Sequence, residues 1–272
     1  MLKAICVVSA NDCSVAMAEY IAGSEEAFVQ KMNEKASELG MNDTTFKNCH
    51  GIDEDGHVTS SYDISLMSME LLNKYPEIIN YTTIWTDTLR DGESELVNTN
   101  KLIRTYEGAT GLKTGSTSLA LYNLSASATR DNLSLIAVVM RAPSSEERLD
   151  NAKTLLDYGF SNYEFFTTST ENEAVQNVTI QKGMSNNVNL VYEDTTGIVV
   201  KKGSSENIIS EISINENIVA PISKGDVLGE INFYIDDELV GTTNLVAEND
   251  VKKMNSINMF EHITNIWGNI LR

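Results

Sequence analysis

Thr110-Gly111-Leu112-Lys113-Thr114-Gly115-Ser116-Thr117 sets a lysine, a small hydroxylic residue and a glycine in series, at the head of a run that reads as a strand hairpin. The three residue types suit one chemistry. Lys113 offers a fixed cation to the carboxylate end of a peptide, and Thr114 adds a hydroxyl beside it. Gly115 lacks a Cβ, so a substrate backbone can approach the strand edge and pair with it as an added strand. Taken alone, the triplet also fits a polar turn before a strand. A second triplet, Ser9-Ala10-Asn11, lies far upstream between two helical patterns and supplies a hydroxyl and an amide.

The composition excludes several function classes. A chain of 272 residues with 42% hydrophobic residues is long enough for one large domain or two modest ones. A formal charge of -19 argues against nucleic-acid binding, which calls for a basic face. Cys6, Cys13 and Cys49 are too few and too irregular for a disulfide framework or a zinc site, and Cys6 and Cys13 fall in apolar helical patterns as buried thiols. With only His50, His57 and His262, no histidine triad or metal cluster is expected, and no metal is assigned to the Cys49-His50 pair. Residues 1–8 have a short apolar run without a cleavage pattern, so they read as the end of a buried helix rather than a signal peptide.

Helices are expected over residues 2–8, over Asp12 to Ala22, and along Phe28, Met32, Ala36 and Leu39 with Gly40 as a stop. Residues 41–59 are irregular. Ser60 and Asp63 have capping-box spacing before a helix closed by Tyr75-Pro76, and short strands are expected over Thr83–Leu89 and Leu96–Thr99. Tyr122–Thr129 and Leu133–Met140, joined by Asp131-Asn132, read as a hairpin. The nearly wholly apolar Leu135–Met140 fits a central strand covered on both faces. Ser144 and Glu147 open another helix, with Gly159 as its stop.

Near residue 170 the texture changes to short alternating runs, among them Val178–Ile180, Val188–Val191, Gly197–Val200, Ile208–Ile214 and Ile231–Ile235. That spacing predicts a small all-β domain, with Ser223–Asp226 and Asp236-Asp237 as tight turns. From about Val251, Met259/Phe260, Ile263, Ile266/Trp267 and Ile270/Leu271 recur at helical spacing. Such a helix either docks on protein or lies on a membrane surface with Trp267 at the headgroups.

Jointly, these segments resemble the serine-type D-alanyl-D-alanine carboxypeptidases, the low-molecular-mass penicillin-binding proteins. Val7–Asp12 with Ala18–Ser24 is similar to the family's segment around Ser-x-Asn. His50-Gly51-Ile52-Asp53, Asp55-Gly56 and Ser60 to Asp63 resemble its H-G-L-D…D-G…S-S-x-x-D stretch, and Gly111–Thr117 with Tyr122-Asn123-Leu124 its Lys-Thr-Gly region. Ala220-Pro221-Ile222, Lys224-Gly225 and Val227-Leu228-Gly229 look like the small β domain that follows.

The resemblance implies an α+β fold. A β-lactamase/transpeptidase-like domain, incomplete at its amino terminus, is expected over residues 1–168, a small β-sandwich over 169–249 and an amphipathic helix over 250–272. It implies that Ser9 relays a proton toward the leaving D-alanine and that Asn11 hydrogen-bonds the base lysine and the substrate amide. Lys113 and Thr114 would hold the terminal carboxylate, the strand through Gly115 would pair with the peptide, and the N–H of Ser116 would be an oxyanion donor. The partners implied are a peptidoglycan stem peptide ending in D-Ala-D-Ala and, for the full-length form, β-lactams, in an extracytoplasmic setting and with no cofactor or metal. No serine here has a lysine three residues on, so the nucleophile-bearing S-x-x-K segment is expected to be missing and this chain to be inactive. A non-catalytic peptidoglycan-binding remnant is the alternative; a β-lactamase is disfavoured by the trailing β domain.

Overall fold

The computed structural model describes residues 1–195 and 197–255. It divides into two compact units, Met1–Asn162 and the chain from Tyr163 onward.

The first unit opens with three helices, α1 (Leu2–Val8), α2 (Asn11–Ala22) and α3 (Glu25–Glu38). Ser24 caps α3, its Oγ accepting from the Ala27 N–H, and Gly40 takes φ 74° just past the helix end, where a left-handed residue stops a helix. Cys6 is buried, whereas Cys13 is only partly so, because α2 fully buries a single residue, Ala18. After the irregular stretch, α4 (Ser61–Lys74) is capped by Ser60. Its capping box is half made: Ser60 Oγ accepts from the Asp63 N–H, but the Asp63 carboxylate accepts instead from Asp43 N–H and Thr44 Oγ1. The short helix α5 (Ile79–Thr82), the hairpin β1 (Thr86–Leu89) and β2 (Ser94–Val97), and α6 (Leu102–Thr105) lead into the sheet.

That sheet is an antiparallel meander in the order β3 (Ala109–Thr117), β4 (Leu121–Arg130), β5 (Leu133–Ala142). The Lys-Thr-Gly residues therefore lie within a strand, not in a turn before one. The strand buried on both faces is β4, not Leu135–Met140 as expected. Along β4 the alternation of the pleat sends Leu124, Ala126 and Ala128 into the core with Ala152 and Leu156 of α7 (Ser145–Asn162), while Ser125 on the other face bonds Ser68 of α4 at 2.7 Å. Its Ser-Ala-Ser-Ala run is small because helices close on both sides. β5 is apolar because it too carries a helix on each face, yet it is an edge strand of this sheet, with Leu135, Ile136 and Val138 only partly buried. Nor does α7 stop at Gly159, for it continues to Asn162. Gly159 is instead a point of close approach: a Cβ there would stand 2.5 Å from Leu135 Cδ1.

In the second unit β6 (Tyr163–Thr167) pairs with β9 (Gly197–Lys201). The remaining strands, β7 (Ala174–Thr179), β8 (Asn187–Tyr192), β10 (Ile209–Ile214), β11 (Val227–Ile235) and β12 (Glu238–Ala247), form a five-stranded sheet in the order β10-β11-β12-β8-β7. Ile198 and Val200 of β9 share one core with Leu190, Ile231, Phe233 and Leu245 of the larger sheet, which makes a two-layer β unit. Asp236 and Asp237, both at positive φ, form the tight turn between β11 and β12. Val251 bridges Ile222 and Lys253 bridges Gly183, so the chain is still extended where the terminal helix was expected to open. Residues 256–272, which carry the apolar stripe of that expected helix, lie outside the described residues.

Candidate active site

The end of α1 brings Ser9 to Lys113. Ser9 is the C-terminal cap of the helix and sits at φ 60°, a left-handed conformation that costs a non-glycine residue energy and is concentrated at functional sites. Its exposed side chain meets β3 there: Lys113 Nζ donates to Ser9 Oγ at 2.9 Å and to the carbonyl oxygen of Thr114 at 2.6 Å. Asn11 opens α2 two residues later with an exposed side chain. Gly115 and Ser116 are exposed on β3, which among the described residues pairs with β4 only, and none of those residues stands within 4 Å of where a Gly115 Cβ would be. The strand edge is open to an incoming backbone at that point.

Thr114 departs from the expected picture. It is buried, and its hydroxyl shares a 2.6 Å hydrogen bond with Thr99 rather than standing free beside the lysine. Lys113 is also less fixed a cation than expected. Burial pushes its pKa down to about 8, the nearby Arg148 charge adds to the push, and the Cys6 thiol opposes it.

Arg148 has no sequence motif to announce it. It lies in α7, which Ser144 caps by accepting from the Glu147 N–H, and its Nη1 donates to the Asn123 carbonyl at 3.3 Å. The guanidinium carbon stands 5.8 Å from the Tyr122 ring, and the buried Nε has no hydrogen-bond partner among the described residues. Asn123 is itself locked, donating to Ala120 O and Leu121 O and accepting from the Arg141 N–H across a register shift in the β4–β5 ladder. In a chain with 39 acidic residues, neither Lys113 nor Arg148 forms an ion pair among the described residues. Burial lowers the pKa of both groups, and the Arg148 charge adds to the push on Lys113; two partly desolvated cations of this kind favour an incoming anion.

Two loops hold the site's flanks. The turn after β3 is latched by Asp53, whose carboxylate accepts from Thr117 Oγ1 at 2.6 Å and from the Leu119 N–H at 3.4 Å. On the other flank Asn98 is buried, donating to Thr82 O and Ile84 O and accepting from the Asn100 N–H. Thr99 between them donates its N–H to Val7 O, which ties this loop to the helix that delivers Ser9.

The depressed Lys113 pKa predicts a gain on neutralising the side chain. Between about pH 8 and pH 10.5 the unfolded chain holds this proton more tightly than the folded one, so stability from this group rises with pH across that window. Lys113→Met is therefore expected to stabilise the protein at pH 7 by as much as roughly 3 kcal/mol, with the difference from the parent vanishing by about pH 10.5. Urea denaturation at pH 7 and pH 10 checks both parts.

A strand-borne lysine thus bonds a left-handed serine beside an open glycine edge, and the chain belongs to the D-alanyl-D-alanine carboxypeptidase family, whose profile matches residues 1–144. Residues 163–253 match the penicillin-binding protein 5, C-terminal domain, so the expected α+β domain followed by a small all-β domain is observed. D-alanyl-D-alanine carboxypeptidase DacF of Bacillus subtilis is 42% identical over 271 residues, covering 98% of this chain and 69% of the relative. D-alanyl-D-alanine carboxypeptidase DacA of Haemophilus influenzae is 32% identical over 253 residues, covering 92% of this chain and 64% of the relative. Among solved structures, penicillin binding protein 5 from Haemophilus influenzae is similar with a TM-score of 0.75 at 31% identity, over 92% of this chain and 73% of that one. The chain thus spans only part of the length of these relatives.

Proposed function

We propose that this chain carries the substrate-reading and proton-relaying parts of a D-Ala-D-Ala carboxypeptidase acting on peptidoglycan stem peptides in the cell envelope. The observation that carries the reading is the Lys113–Ser9 hydrogen bond, with the Arg148 charge acting on Lys113 and no carboxylate partner for either cation among the described residues, beside the open edge at Gly115. A peptide ending in D-Ala-D-Ala would lie along β3 with its terminal carboxylate toward Lys113, the Thr114 hydroxyl and Arg148. The Ser116 N–H would face the carbonyl oxygen under attack. With a pKa near 8, Lys113 exchanges protons readily at neutral pH, so Ser9, bonded to it, would pass a proton to the departing D-alanine amine. Asn11 would hydrogen-bond the substrate amide.

Ser9 is given no acyl-forming role, because no serine of the 272 residues stands three before a lysine. This also favours a second reading, peptide binding without catalysis by the chain as it stands. Penicillin-binding protein D2 from Listeria monocytogenes, a relative in structure at 34% identity, is known in an ampicillin-bound form. By analogy a β-lactam would occupy this site reversibly. The apolar stripe within 250–272 would be the part that touches a membrane surface. Among the described residues no helix is long and apolar enough to cross one.

The test is to titrate the protein with an N-acyl peptide ending in D-Ala-D-Ala and with its L-Ala-L-Ala counterpart, and to treat it with a fluorescent penicillin. Preference for the D,D peptide with no covalent label is the expected result. Equal binding of the two peptides overturns the substrate, and a label that disappears in Ser9→Ala overturns the role given to Ser9.

A further inference from the structure

Asn98-Thr99-Asn100 is built as a mount for its middle residue. The flanking asparagines are 4% and 1% exposed and hold the backbone: Asn98 donates to Thr82 O and Ile84 O and accepts from the Asn100 N–H, and the Asn100 Oδ1 accepts from the Leu102 N–H while its buried Nδ2 has no partner among the described residues. The Thr99 N–H is held by Val7 O at 3.0 Å. Four anchors from three directions thus fix the one residue of the triplet whose side chain is exposed. Among the described residues its hydroxyl has a single partner, Thr114 Oγ1, 2.6 Å away. A threonine with nothing to do would not need such a setting.

Two hydroxyls that share one hydrogen bond retain one unspent O–H between them, whichever of them donates. With the buried Thr114 as donor, that unspent O–H is the one on exposed Thr99, and the bond it accepts polarises it as an outward donor. Thr114 is buried, Thr99 is exposed, and Thr114 follows Lys113 in β3. We infer that Thr99 is a positioning and specificity residue for the substrate's terminal carboxylate: it completes, with Thr114, a neutral hydroxyl donor that works beside the Lys113 and Arg148 cations. The inference rests on the carboxylate reading proposed above and adds to it a residue from outside β3. The cations attract any anion, whereas a hydroxyl pair held at fixed orientation selects one that places an oxygen in line with it, as the carboxylate of a strand-paired peptide does.

Thr99→Val keeps the shape and removes the hydroxyl, and Thr99→Ser keeps the hydroxyl. Affinities of the parent and both variants are measured for N-acetyl-Lys-D-Ala-D-Ala and for the same peptide amidated at its carboxyl end, together with thermal melts. Thr99→Val is expected to lose about three- to tenfold on the acid and less than about twofold on the amide, with Thr99→Ser close to the parent on both. A residue that merely supports the loop would weaken both ligands alike and lower the melting temperature. Equal losses on acid and amide, no loss on the acid, or failure of serine to restore it overturns the inference. Should the parent itself bind acid and amide equally, the carboxylate reading falls and takes this inference with it. A parent that discriminates while Thr99→Val is unchanged sinks the inference alone.

Discussion

Lys113→Ala is expected to weaken binding of a peptide ending in D-Ala-D-Ala by about ten- to a hundredfold, while the same peptide amidated at its terminus loses far less. A hydrogen bond to a charged group is worth roughly 1.5–3 kcal/mol, which sets that range. The partly buried position of the lysine keeps the interaction from being screened away as an exposed surface pair would be. The effect must also follow the lysine's charge. With a pKa of about 8, Lys113 is mostly cationic at pH 7 and mostly neutral at pH 9, so acid binding by the parent should fall across that interval while amide binding stays level. Lys113→Arg should keep its charge at pH 9 and flatten the profile. Calorimetric titrations at the two pH values decide it, and equal losses on acid and amide would mean that Lys113 does not read the carboxylate.

The second large effect falls on stability. Asn98→Ala removes partners from Thr82 O, Ile84 O and the Asn100 N–H in a site only 4% exposed. Unsatisfied buried polar groups cost about 1–3 kcal/mol each, and partial relaxation and entry of water bring the expected total to roughly 2–4 kcal/mol. Asn98→Asp should not rescue it, since a carboxylate would face two carbonyl oxygens without the donors they need. A loss below about 0.5 kcal/mol in urea denaturation, the scale of an ordinary surface change, would show that Asn98 is not the anchor of this loop.

What the sequence made legible follows from how local each signal is. Lys113-Thr114-Gly115 and Ser9-Ala10-Asn11 are contiguous triplets, and the end of α1 and β3 place them in hydrogen-bond contact across 104 residues of chain. The helices were readable from caps such as Ser60 and Ser144, and the strands of the second unit from alternation, although β12 and β6 escaped notice. Arg148 and Thr99 carry no such signal. One is a basic residue in a helix's early turns and the other a threonine in a polar stretch; each gains its meaning from a neighbour distant in sequence, Asn123 or Thr114. The same limit misplaced the central strand. Leu135–Met140 is the most apolar run, but burial on both faces belongs to β4, whose small residues are what tight packing between helices requires. Gly159 read as a helix stop because a glycine that ends a helix and one that admits a leucine side chain look alike until Leu135 is seen beside it.

The central claim is that Lys113 stands in a cation-rich, partly desolvated site which a peptide's terminal carboxylate relieves. The measurement that tests it most directly is the titration of the Lys113 ammonium by heteronuclear NMR, with and without N-acetyl-Lys-D-Ala-D-Ala. The account predicts a pKa near 8 in the free protein, rising by about one unit or more when the peptide binds, because an opposite charge within a few ångströms favours the charged form. A free-protein value at the ordinary lysine level, or one that the peptide leaves unmoved, would contradict it.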